Sequence, residues 1–557
     1  MKHKVCIAQS IKELKFILSS IKNKDIFCIP LNLSTQLFCI RNKINFHNPI
    51  NYINNNFHEE ALLESENLIN DLNTDILKFE SHIKEYKAFI RFKFYSAAFL
   101  FDLVERISKQ KRIDELIVSG WNKYIDQYSS ENYFISNLIK NLVTDIKILS
   151  LSESEKEKIS SREERIYEIP YNVVDKEKKY ILMNNTGYNF KRIIFFLQKK
   201  NYYIIIPSFK KIGFFKKKIF RILKIIFLEF KEKSLNQNKD ILIPDIKFFY
   251  KKKNFSNILN FRKDQEIGNL LKLQSRSRAI DDLFKELKIK LTIVNATRGI
   301  DGYYLEKSKK ENIPNVCIPH GTLASSFNQF DKIYKSIIAE AITLKHNSCF
   351  AVQSKITNRF IQSNNLTSNA LKTGNLIFSE SKNKNSDKIL FAVTLKDYYN
   401  FQLLGVEMYY EFLDNLYLLN KLAKRYKLKF LVKLHPSAND CFEQLKKTFT
   451  NLEFTKKKIA SVLEKVFVTV SFSSTVIEDS LHSKVPVILL DRWRRYKHCI
   501  AEENVNKKNS AIYYVNNEND LIKCFSTIKD SKNINFDEHI FSGNVKNNVS
   551  DLLNKFI

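Results

Sequence analysis

Polar residues that could bind a phosphorylated ligand follow apolar runs in the second half of the chain. Lys433 and His435 come after the run LKFLV, and Ser473 and Ser474 end the run FVTVSFSS. Ammonium, imidazole and hydroxyl groups all donate hydrogen bonds to phosphate oxygens, and the charged donors bind them more strongly. Asp491 ends a further run, PVILLD. The spacing therefore predicts one polar cluster at the ends of several strands.

A second group of such residues lies earlier in the chain. The run LTIVNA is followed by Arg298 and Asp301, and the run NVCIP by His320. Because an imidazole titrates near neutral pH, His320 is a candidate general base for an acceptor hydroxyl. Asp301 is the competing base, with a turn-forming aspartate as the alternative interpretation. Gly321 and Thr322 belong to the same group, and the glycine would let backbone or ligand approach closely.

The segment Ser473-Ser474-Thr475 precedes a predicted helix. Free backbone N–H groups at a helix start, together with neighbouring hydroxyls, can bind a phosphate. Thr475 and Glu478 also have the spacing of a capping box, which needs no ligand, and the two arrangements can coexist. Ser471 and Pro436 complete this donor-side set. A histidine that only satisfies local hydrogen bonds is the alternative for His435.

Short apolar runs alternate with helix-length segments from about residue 290 onward. Strands separated by helices of this length imply parallel pairing through right-handed crossovers. In such sheets ligands bind beyond the carboxyl ends of the strands. The sequence therefore predicts an α/β fold of two Rossmann-like domains facing a cleft, with the group of Asp301 on one side and the group of His435 on the other.

The predicted domain boundaries follow changes in composition. An N-terminal, acceptor-side domain covers 1–380 and includes a helical insertion, rich in Glu, Lys, Leu and Ile, at about 59–165. The polar stretch 379–388 is typical of a linker. A nucleotide-donor domain covers 386–535. The last segment, 536–557, is expected to pack back on the N-terminal domain or to stand apart.

The composition is that of a globular chain with a large positive charge. Its 557 residues are 44% hydrophobic and 13% aromatic, which is enough for large buried cores. The net charge of +31 favours anionic partners: nucleic acid, an acidic membrane face or phosphorylated substrates. The segment from Phe214 to Lys231 would form a basic amphipathic helix, whose apolar face packs on the sheet or on an anionic membrane.

The eight cysteines are scattered and include no C-x-x-C pair. This pattern is typical of reduced, buried thiols and not of disulfides or a zinc site. The N-terminal residues lack the pattern of a signal peptide, and no run of about 18 apolar residues occurs. We therefore expect a cytoplasmic protein, with peripheral contact to the inner face of the membrane as its only approach to a bilayer.

The order of several motifs resembles a known group of enzymes. IPHGTL, FAVQS, LKTGN, VKLHP and SFSSTVIEDSLHSKVPVILLD are similar in order to the CDP-glycerol glycerophosphotransferases of teichoic acid synthesis. The His-Pro and Ser-Ser pairs also resemble the bacterial sialyltransferases, polysialyltransferases and Kdo transferases of capsule and lipooligosaccharide assembly. The likeness covers about residues 290 to 496. It implies a GT-B fold, no essential metal, and no cofactor beyond a nucleotide-activated donor that serves as substrate.

The resemblance also implies roles for individual residues. His435 and the hydroxyls of Ser473 and Ser474 would hold the nucleotide phosphate of the donor. His320 would match the proposed base of the His-Gly-Thr motif. In the sialyltransferase pattern the base is instead an acidic residue before a glycine, which Asp301 resembles.

Two positions depart from the glycerophosphotransferase pattern. Phe472 precedes the Ser pair, where an Asp is usual, and Pro319 precedes His320, where a Trp is common. The first departure leaves the identity of the donor open. It also keeps a non-catalytic relative of these enzymes among the alternatives.

These observations together predict a metal-independent transferase. It would move a sugar or polyol phosphate from a CMP-, CDP- or UDP-activated donor to a glycan or lipid-linked acceptor of a cell-surface polysaccharide. One alternative is a nucleotide-sugar 2-epimerase, which shares the scaffold and needs no acceptor. Another is a non-catalytic, basic RNA- or membrane-binding protein. Since the basic residues are spread along the chain without an RNA-binding motif, we expect no nucleic acid partner.

Overall fold

A computed structural model of the chain gives its fold. The described residues are 3–21, 25–53, 55–119, 138–143, 145–151, 163–169, 174–184, 190–209, 211–238, 242–261, 263–319, 321, 323–343, 349–366, 369–381, 386–393, 409–435 and 441–557. Within these residues the larger sheets are three, all parallel, with helices packed between and around them.

The first sheet is formed by the N-terminal part of the chain. Its strands are β1 (Lys4–Ala8), β2 (Ile26–Pro30), β3 (Glu115–Ser119) and β4 (Lys147–Leu151), paired in the order β2-β1-β3-β4. Its helices are α1 (Ile11–Ser20), α2 (Leu33–Arg41), α3 (Asn55–Asn70) and α4 (Glu80–Lys111). The predicted helical insertion at about 59–165 is wrong in part, because β3, β4 and the start of a further strand lie inside it.

Short antiparallel pairs lie beside the main sheets. They are β5 (Glu163–Glu168) with β9 (Lys231–Asn238), and β10 (Phe249–Tyr250) with β11 (Lys253–Asn254).

The second sheet has seven strands. They are β6 (Lys179–Met183), β7 (Tyr203–Ser208), β8 (Ile225–Glu229), β12 (Lys288–Val294), β13 (Asn315–Cys317), β14 (Phe350–Val352) and β15 (Ala370–Lys372). Its helices are α5 (Lys191–Lys199), α6 (Phe214–Ile222), α7 (Ser256–Asn260), α8 (Lys263–Glu286), α9 (Gly299–Lys310), α10 (Gln329–Glu340) and α11 (Lys355–Ser363). The strand order is β15-β14-β13-β12-β6-β7-β8. The chain thus winds outward from β6 on one side and from β12 on the other, which places the switch point between these two strands.

The third sheet repeats this winding with six strands. They are β16 (Lys388–Ala392), β17 (Lys429–Lys433), β18 (Glu453–Thr455), β19 (Val468–Ser471), β20 (Val487–Leu490) and β21 (Ile512–Val515). Its helices are α12 (Tyr409–Tyr426), α13 (Phe442–Thr448), α14 (Ile459–Leu463), α15 (Val476–His482) and α16 (Glu518–Lys529). The order β18-β17-β16-β19-β20-β21 puts the switch point between β16 and β19. The predicted α/β class with two Rossmann-like sheets is confirmed, and the four-stranded sheet is an addition to it.

The predicted helix after Gly213 is shorter than the apolar pattern suggested. It ends at Ile222, and Lys224 then adopts a left-handed backbone with φ of 54°. Ile226, predicted to share the apolar face of this helix, lies in β8 and is buried in the core of the sheet. Ile226 therefore does not contribute to the apolar face of α6.

Apolar contacts join the three sheets. Leu33 and Leu37 of α2 pack into the core of the six-stranded sheet. The final helix, α17 (Val545–Phe556), packs on the seven-stranded sheet beside α5, and Asn548 Nδ2 donates to the carbonyl oxygen of Asn375 at 3.0 Å. The eight cysteines are buried and form no disulfide, as expected for reduced thiols. Among the described helices, none is long and apolar enough to cross a membrane.

Candidate functional site

The switch point of the seven-stranded sheet carries a polar cluster. Asn184 follows β6, Asn295 follows β12, and the Asn184 amide donates to Asn295 Oδ1 at 2.8 Å. The Asn184 side chain also hydrogen bonds to Asp301. A doubly wound sheet binds its ligands at this kind of point, so Asp301 lies where the fold favours a ligand.

Asp301 lies in the first turn of α9 and not in the loop that the sequence suggested. The pKa of its carboxyl group is raised to about 6, chiefly by burial, and the charge of Glu85 acts in the same direction. The hydrogen bond from Asn184 and the charge of Arg298 act in the opposite direction. A carboxylate with a pKa close to the working pH is a better proton acceptor than an ordinary one.

Arg298 and Gly302 have structural partners on α4. Arg298 Nε lies 3.2 Å from a carboxylate oxygen of Glu85. A Cβ placed on Gly302 would lie 2.2 Å from the carbonyl oxygen of Thr297 and 2.6 Å from Ser81 Cβ. The glycine after Asp301 is therefore required by the close crossing of α9 and α4, whatever the role of the aspartate.

The loop after β13 contains the proposed histidine base. His320 and Thr322 lie outside the described residues. Gly321 is partly buried, and within the described part of the chain no atom lies within 4 Å of a Cβ placed on it. The loop is held at its start, where Gln353 Nε2 donates to the carbonyl oxygen of Pro319 at 3.0 Å.

The end of the same loop reaches the six-stranded sheet. Ala324 packs in one apolar cluster with Ile477 and Leu481 of α15 and with Ile356 of α11. The helix α15 is the one that follows Ser473 and Ser474. The end of this loop, at Ala324, therefore packs with the helix that follows the proposed donor-binding hydroxyls.

Lys433 ends β17 and His435 follows it, at the strand end where the sequence predicted them, and both are partly buried. Burial lowers the pKa of Lys433, while the charge of Asp479 acts to raise it. A desolvated ammonium group gains more from a nearby anion than a solvated one does. Pro436 lies outside the described residues.

The serines at the second switch point differ in their surroundings. Ser471 is fully buried and donates to the carbonyl oxygen of Ala392 at 2.7 Å, a bond that joins β19 to β16. Ser474 Oγ accepts from the backbone N–H of Val476 at 3.3 Å, and Ser473 hydrogen bonds to Tyr496. Ser473 and Ser474 keep 9% and 8% of their surface exposed, so a ligand would reach them only at their edge.

The predicted capping box is not formed. Thr475 is the N-cap residue of α15, but its side chain makes no capping hydrogen bond. Glu478 instead accepts a hydrogen bond from Ser354 Oγ, at 2.5 Å, on the neighbouring sheet. Its carboxylate therefore links two sheets and does not close a helix start.

The carboxylate of Asp491 likewise forms hydrogen bonds within the protein. It accepts from the backbone N–H groups of Arg495 and Tyr496 at 3.1 and 3.0 Å, and from the Tyr514 hydroxyl at 3.0 Å. Burial raises its pKa to about 6. Asp491 thus holds the turn after β20, at the strand end where the sequence placed it.

Two residues that the sequence analysis missed join the sheets near Lys433. Asp479 of α15 accepts from the backbone N–H of Ser379 at 2.6 Å, and burial raises its pKa to about 6. Arg192 of α5 donates to the carbonyl oxygen of Phe378 at 2.9 Å, and its charge acts on Asp479. An acidic residue on an otherwise apolar helix face indicates that a hydrogen-bonding or charged group lies opposite it. The spacing in the sequence does not identify that group.

Comparison with known proteins gives fold likenesses at low identity. No family model matches the chain. No curated protein matches it either. A solved UDP-GlcNAc 2-epimerase of Methanocaldococcus jannaschii is similar over 68% of this chain and 99% of its own, at 13% identity and a TM-score of 0.40.

Two other solved structures are similar to the same extent. The UDP-GlcNAc 2-epimerase of Neisseria meningitidis covers 68% of this chain and 99% of its own, with 13% identity and a TM-score of 0.39. A mutant of S. aureus TarM in complex with fondaparinux, alpha-GlcNAc-glycerol and UDP covers 68% of this chain and 97% of its own, with 13% identity and a TM-score of 0.36. At these values the strand orders described above remain the basis for the fold class.

Proposed function

We propose that this chain is a transferase that moves a sugar or polyol phosphate from a CMP-, CDP- or UDP-activated donor to an acceptor hydroxyl of a cell-surface polysaccharide. One observation carries the proposal. The loop after β13, which contains His320, packs through Ala324 against the helix that follows Ser473 and Ser474. This packing supports the proposal, because it would put a proton acceptor on one sheet close to phosphate-binding groups on the next.

The donor side supplies positive charge and hydroxyl donors. Lys433 and His435 would bind the phosphate of the nucleotide, with the Ser473 and Ser474 hydroxyls at its edge. Negative charge grows on this phosphate as its bond to the transferred group breaks. Preorganised donors at that position lower the barrier, because they stabilise the charge that develops in the transition state.

The acceptor side supplies the base. The acceptor hydroxyl gives its proton to the Asp301 carboxylate, and its oxygen attacks the transferred carbon or phosphorus atom. The bond to the nucleotide phosphate breaks, and the nucleotide leaves with the bonding electron pair. His320 is the second candidate for the same proton, and the pH dependence of D301N distinguishes the two.

A donor panel tests the proposal. Purified protein is incubated with CMP-, CDP- and UDP-linked donors and glycan acceptors, and transfer is followed by mass spectrometry. We expect H435A to reduce kcat/KM about 100-fold, the typical effect of losing one transition-state donor. The matched control is K446A, on the exposed face of α13 beyond the His435 loop.

Two outcomes would reject this assignment. Unchanged turnover in H435A would remove the proposed donor site. Equilibration of a UDP-N-acetylhexosamine with its 2-epimer in the absence of any acceptor would reassign the protein to the epimerases.

A further inference from the structure

The helix α6 presents large apolar side chains to solvent. The exposed fractions are 73% for Phe214, 80% for Phe215, 58% for Ile219 and 78% for Ile222. Leu223, directly after the helix, is 45% exposed. Contiguous apolar side chains of this size on a surface mark an interaction site.

Only a minor part of the helix packs on the protein. Phe220 contacts the core of the seven-stranded sheet, and Lys217 forms an ion pair with Glu229 of β8. A second exposed aromatic residue, Phe195 (60%), lies on α5, which is joined to α6 by a hydrogen bond from Gln198 to the carbonyl oxygen of Leu223. The apolar face of α6 therefore points away from the sheet, although packing on the sheet was one of the two arrangements that the sequence allowed.

Positive charges border this apolar face. Lys211, Lys218 and Arg221 are exposed on or beside the helix. At its C-terminal end a pocket of about 260 Å³ is lined by Lys178, Tyr203, Arg221 and Lys224, with Asp175 as its acidic member. Lys178 Nζ and Lys224 Nζ lie 4.5 and 5.7 Å from the centre of the Tyr203 ring. Three cations around one pocket suit a phosphate group.

We propose that α6 docks this protein on an anionic lipid bilayer. Phe214, Phe215, Ile219 and Ile222 insert among the acyl chains near the headgroups, and the pocket of Lys178, Arg221 and Lys224 binds a lipid phosphate. A helix with apolar residues on one side and cations at its borders has the pattern of an interfacial membrane helix.

Charge complementarity selects the bilayer over other occupants. A second copy of the chain would bring the same cations and a net charge of +31 to the contact. A nucleic acid would match the cations and could stack on Phe214 and Phe215, but it would leave the aliphatic side chains of Ile219 and Ile222 exposed to water. An anionic bilayer satisfies both the apolar face and the charges that border it.

The lipid-phosphate pocket lies at the opposite end of the sheet from Asp301. Lys178 and Lys224 directly precede β6 and β8, and Tyr203 begins β7, at the amino edge of the seven-stranded sheet. Asp301 lies beyond the carboxyl edge of the same sheet. Binding of a lipid phosphate in the pocket therefore does not depend on the proposed transfer reaction.

Vesicle sedimentation tests the proposal with the full-length protein. We expect binding to vesicles of phosphatidylcholine with phosphatidylglycerol and almost none to phosphatidylcholine alone. Raising the salt from about 0.1 to about 0.5 M should weaken the binding, because it screens the charges. The double variant F215S/I222S should lower the partition coefficient about tenfold for each inserted side chain. Charge reversal in K218E/R221E should lower it at least tenfold on the anionic vesicles, because two cations near the surface are replaced by anions.

Matched control variants distinguish docking through α6 from nonspecific binding to vesicles. I500S/Y426S removes two other exposed apolar side chains, and K508E/K532E reverses two other exposed lysines. Both controls should bind as the wild type does. Equal loss in the controls and the α6 variants, or no wild-type binding to anionic vesicles, would overturn the proposal. Salt-sensitive binding to RNA without vesicle binding would overturn it as well. Circular dichroism of each variant verifies that the fold is intact.

Discussion

Ser354 Oγ donates a hydrogen bond of 2.5 Å to the carboxylate of Glu478, and the two residues belong to different sheets. Ser354 is fully buried at the N-cap of α11, and Glu478 is 1% exposed on α15. This bond lies beside the apolar cluster of Ala324 and Ile477, the contact on which the proposed site depends. This buried polar contact therefore helps to set the geometry of the proposed site.

We predict that S354A destabilises the protein by about 1–3 kcal/mol, because it leaves a buried carboxylate with one partner fewer and removes a helix cap. A double-mutant cycle with E478Q should give a coupling energy of about 0.5–3 kcal/mol. Urea titration followed by fluorescence measures both. S336A, which removes an exposed hydroxyl bonded to the carbonyl oxygen of Ile333, should stay within about 0.5 kcal/mol of the wild type. Additive single effects would mean that the two side chains are independent.

Asp479 should make stability depend on pH in a specific direction. Its pKa is raised from 3.8 to about 6 in the folded protein, so folding favours its protonated form. This contribution appears as the pH falls through about 6, is complete near pH 3.8, and is absent above pH 7. The melting temperature of the wild type should therefore rise, relative to that of D479N, between pH 7 and pH 5. The difference between wild type and the exposed variant D551N should not vary in this window, and a flat D479N difference would contradict the prediction.

Lys433 should matter for turnover far more than its neighbours on the same strand. K433A removes a desolvated cation at the end of β17, and we expect kcat/KM to fall about 100-fold. K433R should recover part of this loss, since it restores the charge with a different shape. K429A, at the exposed start of β17, should stay within about twofold of wild type. Equal activity of K433A and K429A would exclude Lys433 from the donor site.

The pH profile of transfer should report the base. If Asp301 takes the proton, kcat/KM falls about tenfold for each pH unit below about 6, because the protonated carboxyl group no longer accepts a proton. D301N should lose about 100-fold or more in rate. D282N, which replaces an exposed carboxylate on α8, is the control. A D301N enzyme with the wild-type rate and profile would assign the proton to His320.

Gly302 and Gly321 should respond oppositely to alanine. In G302A the new Cβ would lie 2.6 Å from Ser81 Cβ on α4 and 2.2 Å from the carbonyl oxygen of Thr297, so both α4 and the turn before α9 must shift. We expect a loss of about 1–3 kcal/mol or more, as for other overpacked sites. In G321A the Cβ meets nothing within 4 Å, and stability should be unchanged within about 0.5 kcal/mol. Thermal melting of both variants measures the contrast, and a stable G302A would show that the helices adjust at little cost.

The sequence predicted the fold where local patterns are strong. Most strands after residue 287 were predicted from short apolar runs, and the winding of the two larger sheets follows from their alternation with helices. The strands β3 and β4 were missed, because each has five residues and the segment around them is rich in helix-forming residues. The end of α6 was missed because an apolar helical pattern continues through Ile226, while Lys224 takes a left-handed conformation that no periodicity reports.

The sequence predicted where the residues of the candidate site lie relative to the strands, but not which groups their side chains contact. Ser471 and Asp491 do stand at strand ends, but backbone groups satisfy their side chains, and the sequence cannot tell such a residue from one that faces a ligand. The spacing of Thr475 and Glu478 fitted a capping box. Glu478 instead accepts a hydrogen bond from Ser354, which is more than 100 positions away in the chain. Asp479 was missed for the same reason, since its partner Ser379 is also remote in sequence.

The packing of α17 on the seven-stranded sheet means that the chain passes between the two Rossmann-like sheets twice, first through residues 379–388 and again between α16 and α17. Two tethers permit less relative movement than one. The two connections favour rotation of the two sheets about the line that joins the connections. Opening and closing around a substrate would therefore be a rotation about one axis.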